Sequence, residues 1–174
     1  MDTEDVHIEP YNPGWPKKFE SEAKLLWEIL NSDNIVNIEH FGSTAVPGLS
    51  AKPIIDILIG VKSLSEAKKF IPILERLGYS YWGDDPRKDG YYLVKGLPPN
   101  GPRTFHIHIT EIGSERWGRL LFRDYLIKHP EEVREYEKLK LNLAEKYKND
   151  REAYTEAKGE YVKSVMEKAR KEFH

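Results

Sequence analysis

There is no cysteine anywhere in these 174 residues. Disulfides, thiolate metal sites and thiol catalysis are therefore excluded. No apolar run approaches the ~20 residues that a membrane-spanning helix needs. Charge of one sign is lacking too: 27 basic residues face 29 acidic ones, for a net charge of −2. That balance argues against a general nucleic-acid or membrane surface, while leaving room for a local basic cleft. The first ten residues, MDTEDVHIEP, are polar and acidic and lack the apolar core of a secretory leader, so a cytoplasmic location is expected. Internal repeats and low-complexity segments are missing as well.

What is present is a soluble, mixed pattern: 39% hydrophobic and 32% charged residues, enough to bury a substantial core. Residues 6–9 suggest a short strand, and apolar residues at Phe19, Ala23, Leu26, Trp27 and Leu30 predict a helix over 16–30. A strand is expected over 35–41. The near-continuous apolar run over 53–61 suits a central strand buried on both faces. Ser63 and Glu66 form a capping box for a helix that stops at Gly78. Further strands are expected at 79–82, 91–95 and 103–110. From residue 114 onward the spacing is helical, with helices over about 114–128, 130–148 and from 151 to the end. The layout predicts one α+β domain: a sheet-bearing core over about 1–112 and C-terminal helices over about 113–174.

The stretch Ile38–Val61, IEHFGSTAVPGLSAKPIIDILIGV, holds most of the residues suited to chemistry. Gly42-Ser43 leaves a strand, permits close backbone approach and offers an amide and a hydroxyl to an anion. As a bare dipeptide it reads as a plain strand-to-loop turn. Asp56 is the one carboxylate in an apolar strand, a placement that demands a cation, a metal or a catalytic role. Lys52 is a nearby ion-pair partner. On the later strand Thr104, His106, His108 and Thr110 share a face, so two histidines point the same way, as two ligands on one metal or two donors to one phosphate would. An edge strand with a polar face explains them equally well. Glu111 is a weaker further ligand or base. Arg87, Lys88, Lys95 and Arg103 flank the middle strands and suit an anion site or ordinary solvated loops. Tyr91, Tyr92 and Phe105 suit a base stack or the core. Tyr154, Ala157 and Tyr161 share a helix face; Lys158 lies beside it, where spacing alone favours a surface lysine.

Four segments in order, EHFGSTAVPGLSAKPIIDILIGV, FHIHIT, LLFRDYLIKHP and DREAYTEAKGEYV, resemble the GrpB-like family over essentially the whole chain. The resemblance implies a nucleotidyltransferase-like fold of the DNA polymerase β superfamily: a mixed sheet flanked by helices. In that superfamily a Gly-Ser pair precedes a strand with two carboxylates one residue apart. Those carboxylates hold divalent metal and a nucleoside triphosphate. Gly42, Ser43 and Asp56 match. The partner carboxylate does not, since Ile54 and Leu58 flank Asp56. The resemblance thus implies phosphate or nucleotide binding by Gly42, Ser43, Lys52, Arg103 and Lys158, with Asp56 and Ser43 as catalytic candidates. It implies a divalent metal (magnesium, manganese or zinc) on Asp56, His106, His108 and His40, with the histidines favouring a transition metal over magnesium. The expected function is nucleotidyl or phosphoryl transfer, or alternatively a non-catalytic module that binds a nucleotide or phosphorylated ligand and assists a partner enzyme. The family also occurs fused to dephospho-CoA kinase, which implies a nucleotide or coenzyme A context.

Overall fold

The β-branched run after Pro53 becomes the strand on which the sheet is built. A computed structural model describes residues 5–83, 89–97 and 101–173. Strands β1 (Ile35–Phe41), β2 (Ile55–Val61), β3 (Tyr79–Tyr81), β4 (Tyr91–Lys95) and β5 (Phe105–Glu111) form one sheet in the order β1-β2-β5-β4-β3. β2 pairs antiparallel with β1 and parallel with β5; β4 is antiparallel to both β5 and β3. The sheet is therefore mixed. β2 is buried along almost its full length, with Asp56 the single break. The strand expected at residues 6–9 is reduced to one bridge between Glu9 and Ala51.

Helix α1 (Trp15–Leu30), α2 (Leu64–Ala67) and α3 (Phe70–Arg76) cover one face. Ile57 and Ile59 of β2, Ile107 and Ile109 of β5 and Leu93 of β4 pack there against Leu26, Phe70 and Leu74. Trp27, expected on the buried face of α1, is 41% exposed; Trp15 fills the core instead. The helix predicted from Ser63 is split in two. Pro72 has no N–H for the carbonyl of Lys68, and its ring crowds that carbonyl, so the chain breaks between α2 and α3. Ser63 still caps α2 through the Glu66 amide, and Glu111, offered as a ligand, caps it from outside by accepting the Leu64 N–H.

The remaining helices are α4 (Glu115–Gly118), α5 (Leu120–Lys128), α6 (Pro130–Lys146), α7 (Arg151–Ala157) and α8 (Gly159–Glu172). Two of the three expected helices are broken, at Gly118-Arg119 and at Lys158-Gly159. Tyr125, Leu126, Tyr136, Val165 and Ala169 build a second core, into which Val46 and Leu49 of the β1–β2 loop insert. This layer lies over the other sheet face, which carries Asp56, His106, His108 and Tyr92 side by side. None of the described helices is long and apolar enough to cross a membrane.

Candidate functional site

Strand register fixes the centre of the site. Asp56 is opposite Phe41 on one side and His106 on the other; His108 is opposite Leu58 and Tyr92. Directly opposite residues share a face, so Asp56, His106, His108 and Tyr92 all point toward the C-terminal helices. Between them and those helices lies a cleft of about 650 Å³.

Asp56 Oδ1 is 3.3 Å from His106 Nδ1. The Tyr92 hydroxyl is 3.2 Å from the same nitrogen, while His106 Nε2 is buried with no hydrogen-bond partner among the described residues. Burial pushes the Asp56 carboxyl up, but the His106 hydrogen bond and the charges of the histidines and Lys52 outweigh it, and the net shift is downward. Asp56 is therefore ionised at neutral pH. His108 stacks on Tyr92 at 4.7 Å between ring centroids, and its Nδ1 faces the Arg116 guanidinium. Arg116 is itself clamped to Asp89, 2.6 Å away.

Gly42 makes the close approach to Asp56. It has φ +74 and opens the single 3-10 turn Ser43–Ala45. A Cβ there would sit 2.5 Å from Asp56 Oδ2. The Gly-Ser pair thus fits only as glycine, because of both its backbone and its neighbour.

The loop from Val46 to Lys52 is fastened by α6. Glu137 Oε1 accepts the Ser50 N–H at 2.9 Å, and Lys140 Nζ donates to the Ser50 carbonyl at 2.7 Å. Lys52 is thereby held over the Tyr154 ring at 5.3 Å, and Lys158 approaches the same ring at 4.5 Å. Arg103 lies over the Trp82 ring at 5.4 Å. Among the described residues Lys52, Arg103, Lys140, Arg151 and Lys158 make five cations in the wall, and Asp56, Glu152 and Glu156 are its carboxylates. Both glutamates are exposed on α7, which leaves Asp56 as the interior negative charge.

So many cations at close quarters are held at a cost, and their titration shows it. Burial, then repulsion from Lys158 and Arg151, brings Lys52 down to about 7. Burial brings Lys158 down to about 8; Asp56 opposes the shift and Arg151 adds to it. Lys140 is depressed too, by burial and by the other two lysines. An anion in the cleft would relieve all three.

Gly42, Ser43, Lys52, Asp56, Arg103, His106, His108 and Lys158 therefore share one cleft. His40 does not join them. It projects to the opposite sheet face, stacks on Phe19 at 4.8 Å and bonds Thr44 Oγ1 at 2.9 Å. Burial pushes it down to about 4, so it is neutral at pH 7 and packed on the face away from the cleft. Alternation along β1 explains this: the residue facing Asp56 is Phe41. Arg87 and Lys88 lie outside the described residues. Lys95 belongs to the other face, bonded to Glu22 at 2.8 Å.

The donor set does not fit a metal centre. Asp56 is engaged by His106, and His108 presents its Nδ1 to a guanidinium. Among the described residues there is no group of three or more His, Cys, Asp or Glu side chains placed to hold an ion. The surrounding lysines and arginines oppose a cation further.

Three contributors were not visible as site residues in the sequence. Lys140 and Arg151 sat in a Lys/Glu-rich stretch with the look of a solvated face. The available signal was spacing: Lys140 follows the buried Tyr136 by four residues, and Arg151 precedes the buried Tyr154 by three. Tyr154 is buried on its packing face, as its spacing predicts, and its ring also lies under Lys52 and Lys158 in the cleft.

Fold and site together define an α+β protein with a cation-lined cleft between its sheet and its C-terminal helices. The family model described as GrpB protein matches residues 5–168, and the chain belongs to the GrpB family. It is 41% identical to a UPF0157 protein of Pseudomonas aeruginosa over 97% of this chain and 69% of that protein. It is 36% identical to the glutamate-rich protein GrpB of Alkalihalophilus pseudofirmus over 93% of this chain and 94% of that protein. A protein of Mycolicibacterium paratuberculosis named dephospho-CoA kinase is 26% identical, with 94% of this chain matching 46% of it. Among solved structures, conserved protein GrpB from Enterococcus faecalis superposes with a TM-score of 0.86 at 35% identity, covering 96% of this chain and 99% of that one.

Proposed function

We propose that the cleft binds a phosphorylated small molecule of the nucleotide class. The observation that carries this reading is the convergence of Lys52, Arg103, Lys140, Arg151 and Lys158 on a space with Asp56 as its interior carboxylate. Cations held out of water are stabilised by a charged hydrogen-bonding partner, and phosphate oxygens accept from lysine and arginine alike. Trp82, Tyr92, Tyr136 and Tyr154 supply aromatic wall for the rest of the ligand. Lysine and arginine do the neutralising that a divalent metal performs in a two-carboxylate site. The relative named dephospho-CoA kinase makes nucleotides and coenzyme A the first ligands to try.

Nucleotidyl or phosphoryl transfer on the same cleft is the second reading. The Asp56–His106 pair favours it, because a carboxylate on one ring nitrogen of a histidine is an arrangement suited to proton transfer. The family resemblance to nucleotidyltransferases points the same way, and the missing partner carboxylate points against it.

The test is calorimetric titration with the four common nucleoside triphosphates, coenzyme A and orthophosphate, each with and without magnesium, manganese and zinc. Phosphate and pyrophosphate release are followed in parallel. At least one phosphorylated compound is expected to bind without added metal. Lys52→Met combined with Lys158→Met is expected to weaken it about tenfold or more. If none of these compounds bound at millimolar concentration, the reading would be rejected.

A further inference from the structure

Beside the first cleft lies a second, of about 550 Å³, and the two share a wall made of Asp56, His108, Thr155 and Lys158. The far side of the second cleft is a single stripe of α8. Gly159, Val162, Lys163, Met166 and Arg170 recur at helical spacing and all line it. That stripe contains no acid. Glu172, near the end of α8, pairs with His129 and Lys128, on the α5 side. Lys168 likewise turns away, to Glu132. Lys163 and Arg170 are exposed, and among the described residues no salt bridge engages either. Among the described residues Arg116, Arg119, Lys158, Lys163 and Arg170 line the cleft against two carboxylates, Asp56 and Glu115, so the lining carries an excess of positive charge. Phe41, Val162 and Met166 are the apolar side chains of the lining.

We infer that this second cleft is an anion subsite acting together with the first, so that two phosphate-like groups are held on either side of the Asp56–Lys158 wall. The inference rests on the reading of the first cleft as a phosphate site and extends it. Lys158 is the shared cation, reaching both spaces from the break between α7 and α8. The chemistry is the same whether one elongated ligand carries both anions or two anionic ligands meet at the wall. Either arrangement brings the second anion within reach of the Asp56–His106 pair.

The experiment maps orthophosphate binding by amide shifts of the isotope-labelled full chain. Two separate sets of shifts are expected: one around Gly42, Ser43 and Lys52, the other around Gly159, Val162 and Lys163. Lys163→Ala with Arg170→Ala, both exposed positions outside the first cleft, is expected to weaken only the second set, by about tenfold. Lys52→Met is expected to weaken only the first. Tripolyphosphate then separates the two sources. If one ligand spans the wall, both sets respond with a single affinity at least about tenfold above that of orthophosphate. If two ligands are needed, the sets stay independent. Shifts confined to the Gly42 set, unchanged in Lys163→Ala/Arg170→Ala, would overturn the second subsite and leave the first cleft standing. The absence of both sets would overturn the phosphate reading itself and this inference with it.

Discussion

Gly42 and Asp56 occupy each other's space: a Cβ on residue 42 would stand 2.5 Å from the Asp56 carboxylate. The backbone at Gly42, φ +74 with ψ −175, is also one that side chains rarely tolerate. Gly42→Ala should therefore cost about 1–3 kcal/mol from the backbone alone. For a chain of this length, each kcal/mol lowers the melting temperature by about 2–4 °C. The carboxylate must also shift, so anion binding should change along with stability. Thermal melts with and without orthophosphate check both effects. A variant that melts like the wild type would show that the turn relaxes freely and that Gly42 does not position Asp56.

The lysine cluster sets a pH dependence with a definite sign. Lys52 titrates at about 7 in the folded chain, against an ordinary value of 10.5. Between those limits the unfolded chain binds more protons than the folded one, so stability rises with pH from about 7 to about 10. Lys158, at about 8, adds to the same slope over the upper part of that window. Below about 7 the penalty for holding the charged amines is fully present. Denaturant melts from pH 6 to pH 10 should show this rise, and Lys52→Met should flatten it while stabilising the chain at the acid end. A wild-type profile that is flat or falling over this range would contradict it.

Binding an anion should reverse the depression of those lysines, so complex formation should take up protons near pH 8. Calorimetry of orthophosphate binding in two buffers of different ionisation enthalpy reads the uptake directly. The expected result is a fraction of a proton or more gained per anion, shrinking toward zero at pH 6, where both amines are already charged. Equal apparent enthalpies in both buffers at pH 8 would mean the anion does not meet these lysines.

Much of the fold was legible because its signals are local. β1 and β4 fall where the sequence placed them, and the alternation of Thr104, His106, His108 and Thr110 puts both histidines on the face that carries Asp56. The helix breaks were not seen, because Pro72 and the Gly118 and Gly159 steps interrupt patterns whose apolar spacing continues across them. The cleft was half legible. Asp56, His106 and Lys52 stood out as polar residues in apolar or turn settings. Lys140 and Arg151 did not, since their spacing from Tyr136 and Tyr154 marks an inward face only once those rings are known to be buried and, for Lys140, the Ser50 carbonyl is brought against it. The placement of His40 was missed for a simpler reason: one step along a strand changes the face.

Asp56→Asn separates the two readings of the cleft. The carboxylate is the interior negative charge among five cations, and it shares its oxygen with His106. Removing it takes away attraction that the folded state enjoys, so the ligand-free variant should be less stable than the wild type above pH 4, where Asp56 is ionised. An incoming phosphate, by contrast, is repelled by that same carboxylate. If the cleft only binds, Asp56→Asn should hold orthophosphate more tightly, by roughly three- to tenfold, because about 1 kcal/mol of repulsion disappears, the figure for unit charges about 4 Å apart that are screened as in bulk water. If the cleft transfers a phosphoryl or nucleotidyl group through the Asp56–His106 pair, the variant should bind at least as well and lose turnover. Side-by-side titration and product-release assays on the wild type and Asp56→Asn give the answer. Tighter binding by a protein that never turned over supports the binding module. Tighter binding with lost turnover supports the enzyme. Weaker anion binding in Asp56→Asn would sink both, because it would mean that the carboxylate holds the ligand rather than opposing it.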